Sequence, residues 1–416
     1  MIIKVKHLLS NVHKLGMLAF FALNSAYAQM DHSSHMGMGG SAKSSNTCVS
    51  TGLECANAAT PFFMPDGSLL LAWTAGGVVS VAQSADKGKT FSPPIAVAQH
   101  GKSLDSGADA RPQIVANSSK QVFLAYAFFK DSNWNAQINT SISNDGGKTF
   151  SAPKSLVNDS ASQRFPSVLI RPDNKIFVAW IDKRIVADAK KAGQQSLGGS
   201  IAYAFSEDGG AIFAPERIAN ESSCECCRIG ASIDPKGGVG IVYRAIFPGG
   251  MRDHASQIIT SSGPGKIRRV SNDEWKTDAC PHHGPTIAIS ESGKMHVAWF
   301  TQGSARSGVF YASSINQGEA YTKPQRIGAI DANTSRPYLL SVGNAIWLAW
   351  KEFDGVHTAI YIKKSFDDGK TWSTPAIVSS TTGYSDHPLL LSQGDGVYLS
   401  WLTREDGYQL IPLNSK

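Results

Sequence analysis

Two short segments concentrate the soft donor atoms of this 416-residue chain. One reads Cys224-Glu225-Cys226-Cys227-Arg228, the other Cys280-Pro281-His282-His283-Gly284-Pro285. Thiolate prefers Cu(I) or Zn, and imidazole suits Zn or copper, so four thiols and two imidazoles form a dense set of metal donors. Disulfides are the competing reading, and Cys227 could bridge to Cys280. Adjacent and near-adjacent cysteines make strained bridges, which leaves a fully paired Cys-x-Cys-Cys unfavourable. Haem attachment fails because Arg228 stands where a Cys-x-x-Cys-His motif needs histidine. No βαβ pattern surrounds the pair to make it a thioredoxin-type site. Cys48 and Cys55 lie apart from the cluster and are expected to form a simple disulfide.

A second donor-rich segment lies near the N-terminus, with Met30, His32, His35, Met36 and Met38 inside nine residues. Thioether has little affinity for Zn or Mg but binds Cu(I), and imidazole extends the range to Cu(II). A leader of merely biased composition is the alternative. The segment resembles the Met/His-rich stretches of periplasmic copper-handling proteins. Two soft-donor features in one chain favour copper over zinc, with Cu(I) as the expected state and zinc as the alternative. Cys224, Cys226, Cys227 and Cys280 are the expected thiolate ligands, with His282 and His283 next. The Met/His segment would be a weaker capture site. Cu(I) takes few ligands, so either some of these groups are spectators or more than one ion binds.

The first residues carry Lys4, Lys6 and Lys14, then a nine-residue apolar run, Leu15 to Leu23, too short to span a bilayer. Ala26-Tyr27-Ala28 offers a signal-peptidase site before Gln29. The expected organisation is a signal peptide over 1–28, a flexible Met/His-rich segment over 29–47 and one folded domain over 48–416. The expected location is the periplasm, with no membrane span after cleavage. Copper ions and another periplasmic copper protein are the expected partners. Losing three lysines lowers the formal charge from +6 to +3, with no basic run, which argues against nucleic acid. Only 17% of residues are charged and 42% are hydrophobic, which excludes a disordered chain.

The elements that must position these donors repeat. An apolar run ending near an aromatic occurs seven times, closing at Trp73, Tyr126, Trp180, Tyr243, Trp299, Trp350 and Trp401. Each run is short, rich in β-branched or aromatic residues and bounded by turn residues, as a buried strand is. About ten residues earlier a proline opens another strand: Pro61, Pro112, Pro166, Pro285, Pro337 and Pro388, with Gly230 in that slot of the fourth repeat. A hairpin-turn motif recurs as Ser84 to Phe91, Ser143 to Phe150 and Ser365 to Trp372. Its Asp caps backbone N–H groups and its Gly takes positive φ. Ser206 to Phe213 is a partial copy, and Ser262 to Ile267 and Ser314 to Tyr321 read as decayed ones.

These boxes resemble the Asp-box (BNR) repeats of the sialidase-like β-propellers over roughly residues 56–413. The resemblance implies an all-β propeller of four-stranded antiparallel blades, seven favoured by the repeat count and six as in sialidases. It also implies that the boxes are structural turns away from the active face. Residues 43–55 are expected to complete the seventh blade, and residues 186–192 to form a short helix. The blades aim the residues before each strand-opening proline at one channel mouth: Thr60, Arg111, Arg164 with Phe165, Arg336 and His387. Both cysteine segments reach the same end, where His387 is a further candidate ligand.

A sialidase-like hydrolase is the alternative function. Arg111, Arg164, Arg228 and Arg336 would then bind an anionic substrate, since guanidinium forks grip carboxylates. Asp109 or Asp386 could serve as acid, but no nucleophilic Tyr with its Glu is assignable. A copper oxidoreductase and a pure interaction propeller complete the readings. The favoured expectation is copper handling, whether storage, delivery or resistance.

Overall fold

The computed structural model describes residues 48–277, 279 and 281–413. Cys280 and the Met/His segment lie outside the described residues. The described chain folds as seven antiparallel sheets in chain order, the blades of a propeller. Every apolar run is the second strand of its blade: Leu69–Ala75, Val122–Phe129, Ile176–Asp182, Val239–Arg244, Met295–Gln302, Ala345–Phe353 and Gly396–Thr403. These strands are covered on both faces by neighbouring blades, which is why they read as continuous apolar runs rather than alternating ones. Trp180, Trp299, Trp350 and Trp401 are fully buried in the seams between blades.

The first strands of the blades are Ala58–Phe63, Gln113–Ala116, Gln163–Ile170, Gly230–Ile233, Thr286–Ile289, Asn333–Val342 and Leu389–Gln393. Each packs against the next, and the last packs against the first, so the ring closes. The Ala59 amide donates to the Asp386 carboxylate at 3.2 Å across that closure. Pro112, Pro285 and Pro388 immediately precede these strands, whereas Pro61, Pro166 and Pro337 lie within them. The inner strand is an edge strand of its sheet, where a missing N–H is tolerated. Pro166 and Pro337 also sit where the register shifts, between Arg164 and Ser167 and between Ser335 and Tyr338.

The repeated hairpin motif has the expected geometry. In the first blade Ser84 Oγ donates to Asp86 at 2.8 Å, and Thr90 donates to both carboxylate oxygens through N–H and Oγ1, at 2.9 and 2.6 Å. The copies at Asp145 and Asp367 repeat it. The decayed copy in the fifth blade retains it with Asn316 in place of Asp, accepting from Ser314 Oγ and the Ala320 amide.

Two expectations need correction. The seventh blade has three strands, and described residues 48–55 add none to it. Instead Cys48 and Cys55 are disulfide-bonded, with Cα atoms 5.4 Å apart, and the chain between them turns through a 3-10 segment, Leu53–Cys55. A loop closed on itself in this way cannot run extended along an edge. It caps the seam between first and last blades: Thr51 O accepts from the Trp73 indole at 3.1 Å, and Glu54 O accepts from Arg404 at 3.0 Å. The helix in the third-blade insertion spans Arg184–Lys191, slightly earlier than expected.

Candidate metal centre

Cys224 follows the outermost strand of the third blade, Arg217–Ser223, and Cys226 and Cys227 lie in the loop leading to the inner strand of the fourth. This loop is pinned at its start, where the Cys224 amide donates to Arg244 O at 2.9 Å. All three thiols are unbridged and buried. Cys224 Sγ lies 3.5 Å from Cys226 Sγ and 3.8 Å from Cys227 Sγ, and all three sulfurs fall within 4.8 Å of one another. Among the described residues no His, Asp or Glu joins them at that separation.

Cations face the sulfurs. Arg252 Nη1 donates to Cys224 Sγ at 3.6 Å. Arg244 is 1% exposed, packs at 4.0 Å over the Trp275 ring, and has no hydrogen-bond partner at Nε or Nη1. Hydrogen bonds from Cys226 and Cys227, aided by the Arg244 charge, hold the Cys224 thiol well below its usual range. Cys227, whose proton is committed to Cys224, is pushed up to about 12. Cys227 donates its S–H to Cys224 Sγ, and Cys226 Sγ lies within hydrogen-bond reach of the same sulfur. Cys224, with its thiol lowered, is the sulfur a soft cation meets most readily, and ligation releases whatever thiol protons remain.

The spacing fits a metal. A thiolate bonded at about 2.3 Å, in a set of three or four around one ion, puts sulfurs about 4 Å apart. The observed separations need only small rotations to reach it, and buried Arg244 with half-buried Arg252 offsets the negative charge of a thiolate complex.

The second segment lies against the first. Gly284 packs so close to Arg228 that an added Cβ would stand 2.3 Å from Arg228 Cγ and 2.6 Å from Arg228 O. Only glycine permits that approach. His282 turns its ring toward Phe165, centroids 6.2 Å apart, while His283 stacks on Phe300 at 4.1 Å. Neither imidazole is in the three-sulfur set.

The arginines expected at this end do meet there, but they are engaged by acids and carbonyls. Arg228 donates to Asp109 at 2.7 Å, and Arg336 grips both Asp109 oxygens at 2.7 and 2.9 Å. Arg164 forms a fork with Asp105, the second arm at 2.8 Å. Arg111 donates to Ala59 O, Ala108 O and His387 O, with Asp386 at 3.6 Å. His387 joins this network rather than the sulfurs, its Nδ1 3.6 Å from Asp109. Burial, reinforced by surrounding guanidinium and ammonium charges, keeps its imidazole neutral. Burial raises the Asp386 carboxyl despite Arg111, and lowers the Lys351 ammonium to about 8. Among the described residues no tyrosine hydroxyl is hydrogen-bonded to a glutamate, the pairing a sialidase nucleophile uses.

Three residues here hold left-handed backbone without being glycine: Phe165 at φ 58, His282 at φ 52 and Arg336 at φ 54. They meet, since Phe165 packs on the His282 ring and Arg336 Nη1 donates to the His282 carbonyl. Backbone of this kind persists only where surrounding contacts over-determine it, and it clusters at functional sites. The sequence reading missed Arg244, Arg252 and His254. They lie on or beside strands of the fourth blade, where nothing local separates them from ordinary strand residues. Their signal is a cross-strand pairing, Arg244 opposite His254.

The architecture has solved counterparts. An ulvan lyase of family PL25 aligns over 87% of this chain and 95% of its own, with TM-score 0.56 and 11% identity. A Dyadobacter fermentans protein of unknown function aligns over 72% and 92%, with TM-score 0.51 and 15% identity. A Hadza microbial sialidase aligns over 85% and 74%, with TM-score 0.50 and 13% identity. At these identities the likeness is one of fold. No protein-family model matches the chain, and no curated protein matches it significantly.

Proposed function

We propose that this chain is an exported copper-binding β-propeller. It holds Cu(I) on Cys224, Cys226 and Cys227 as cargo in periplasmic copper handling. The observation that carries the reading is the trio of unbridged, buried sulfurs within 4.8 Å of one another, beside two arginines. Cu(I) is favoured over Zn because three thiolates suffice for it and because the Met30–Met38 segment offers thioethers, which Zn does not favour. In this reading the N-terminal segment captures the ion and the cysteine loop retains it.

The test is a Cu(I) competition titration against a chromogenic chelator, without oxygen. Wild type should strip the chelator to a fixed stoichiometry, and Cys224→Ser should not. A Cys224→Ser variant that competes like wild type removes the reading.

A second reading, cleavage of an acidic polysaccharide or sialoside, draws on the convergence of Arg111, Arg228 and Arg336 and on fold counterparts that include an ulvan lyase and a sialidase. Against it stands Asp109, which already occupies two of these guanidiniums. A fluorogenic sialoside and an ulvan-type oligosaccharide test it directly.

A further inference from the structure

We propose that His254 supplies a nitrogen donor to the metal held by Cys224, Cys226 and Cys227, making a set of three sulfurs and one imidazole. The inference rests on reading those cysteines as a metal site and deepens it, since the chain's sequence alone points to His282 and His283.

His254 opens the third strand of the fourth blade, His254–Thr260, directly opposite Arg244. Residues facing each other across an antiparallel pair project to the same side of the sheet. Arg244 O in turn accepts the Cys224 amide at 2.9 Å, and Ser223 bridges to Ala245. Cys224, Arg244 and His254 therefore form one row across three adjoining segments. The imidazole is 1% exposed, and neither Nδ1 nor Nε2 has a hydrogen-bond partner. A buried imidazole with both nitrogens idle costs free energy, and its nitrogens are open to a partner from outside the chain's own hydrogen bonds.

The contacts around it support coordination rather than another use. Burial lowers the His254 imidazole well below its usual range, and Arg244 and Cys224 lie close enough to act on it electrostatically. The His254 ring packs 6.4 Å from Trp299, which limits it on one side. No imidazole nitrogen among the described residues yet stands within 4.8 Å of all three sulfurs. The ring must therefore move toward the sulfurs as metal enters, and no hydrogen bond at either nitrogen holds it back. A neutral imidazole adds a donor without adding charge, while each S–H that binds releases its proton.

The experiment uses the full mature chain loaded without oxygen with one equivalent of Cu(I), and reads copper-edge X-ray absorption. An imidazole ligand gives outer-shell scattering that sulfur does not. Wild type, His282→Phe and His283→Phe should show it. His254→Phe, which keeps an aromatic ring beside Trp299, and His254→Gln should lose it and bind Cu(I) about tenfold or more weakly. Sulfur-only scattering in wild type overturns the proposal without recourse to any variant. So does imidazole scattering that survives in His254→Phe or vanishes in either of the other two variants. A wild-type chain that takes up no copper fails at the earlier step and removes both readings together.

Discussion

Replacing Cys224 by serine tests the cluster through its effect on stability. A ligand that binds only the folded state stabilises it by RT ln(1 + [L]/Kd), about 4 kcal/mol at a free concentration a thousandfold above Kd. Unfolding entropy near 2.1 cal/mol/K per residue gives the propeller, about 370 residues, roughly 0.8 kcal/mol/K. Saturating Cu(I) should therefore raise the wild-type melting temperature by about 5 °C. Cys224 is the sulfur within hydrogen-bond reach of both others and the one Arg252 contacts. Its loss leaves two sulfurs and an unbalanced guanidinium, and the shift should shrink to about 1 °C or less. The assay is calorimetry without oxygen, with free Cu(I) set by a chelator buffer. Metal-free wild type and Cys224→Ser are compared first, so that any change in the fold itself is subtracted. Replacing both Cys48 and Cys55, which lie on another seam, should lower the metal-free melting temperature and leave the copper shift intact. A full shift in Cys224→Ser refutes the reasoning.

Other expectations follow from the same structure. Asp109→Asn removes the charge shared by Arg228 and Arg336, side chains at most 22% exposed. Uncompensated buried charge of this kind costs about 3 kcal/mol, a fall of about 4 °C by thermal melting. Trp180→Ala empties a fully buried site and removes the indole donor to Asp182 at 3.0 Å. Its cost should be about 3–5 kcal/mol, measured by denaturant unfolding. Asp86 and Asp145 are held down to about 2 by hydrogen bonds from Thr90 and Thr149. Their unfolded value is about 3.9, so the stability they contribute is present above about pH 4 and is lost as pH falls through 2. A double Asn variant, which the natural Asn316 box shows to be structurally acceptable, should melt with a flatter acid limb. An unchanged limb contradicts that assignment.

The blade count was legible because every second strand is buried on both faces and so reads as an unbroken apolar run ending at Trp or Tyr. The turns were legible because Ser, Asp, Gly and Thr each make a local bond whose geometry depends on four or five residues. The seventh blade was misjudged for a matching reason. Whether residues 48–55 extend or curl depends on the Cys48–Cys55 bond and on Trp73, which lies far along the chain. At the candidate site the sequence supplied the thiols, since Cys-x-Cys-Cys is local. It did not supply Arg252, which contacts Cys224 from a loop, or Arg244 and His254, which strand pairing sets in the row beside Cys224. Arg111, Arg164 and Arg336 stand before or beside the strand-opening prolines, and Arg228 and Arg336 meet on Asp109. The arginines' partners were not legible, because Asp105 and Asp109 belong to a different connection from the arginines they hold.

The most direct measurement is the metal and thiol content of the chain purified, without oxygen, from the cells that make it. The copper reading requires near-stoichiometric copper and thiols on the cysteine loop that resist alkylation until the metal is stripped. Absence of copper, with Cys224, Cys226 and Cys227 found in disulfides, would contradict it and turn attention to the arginine network.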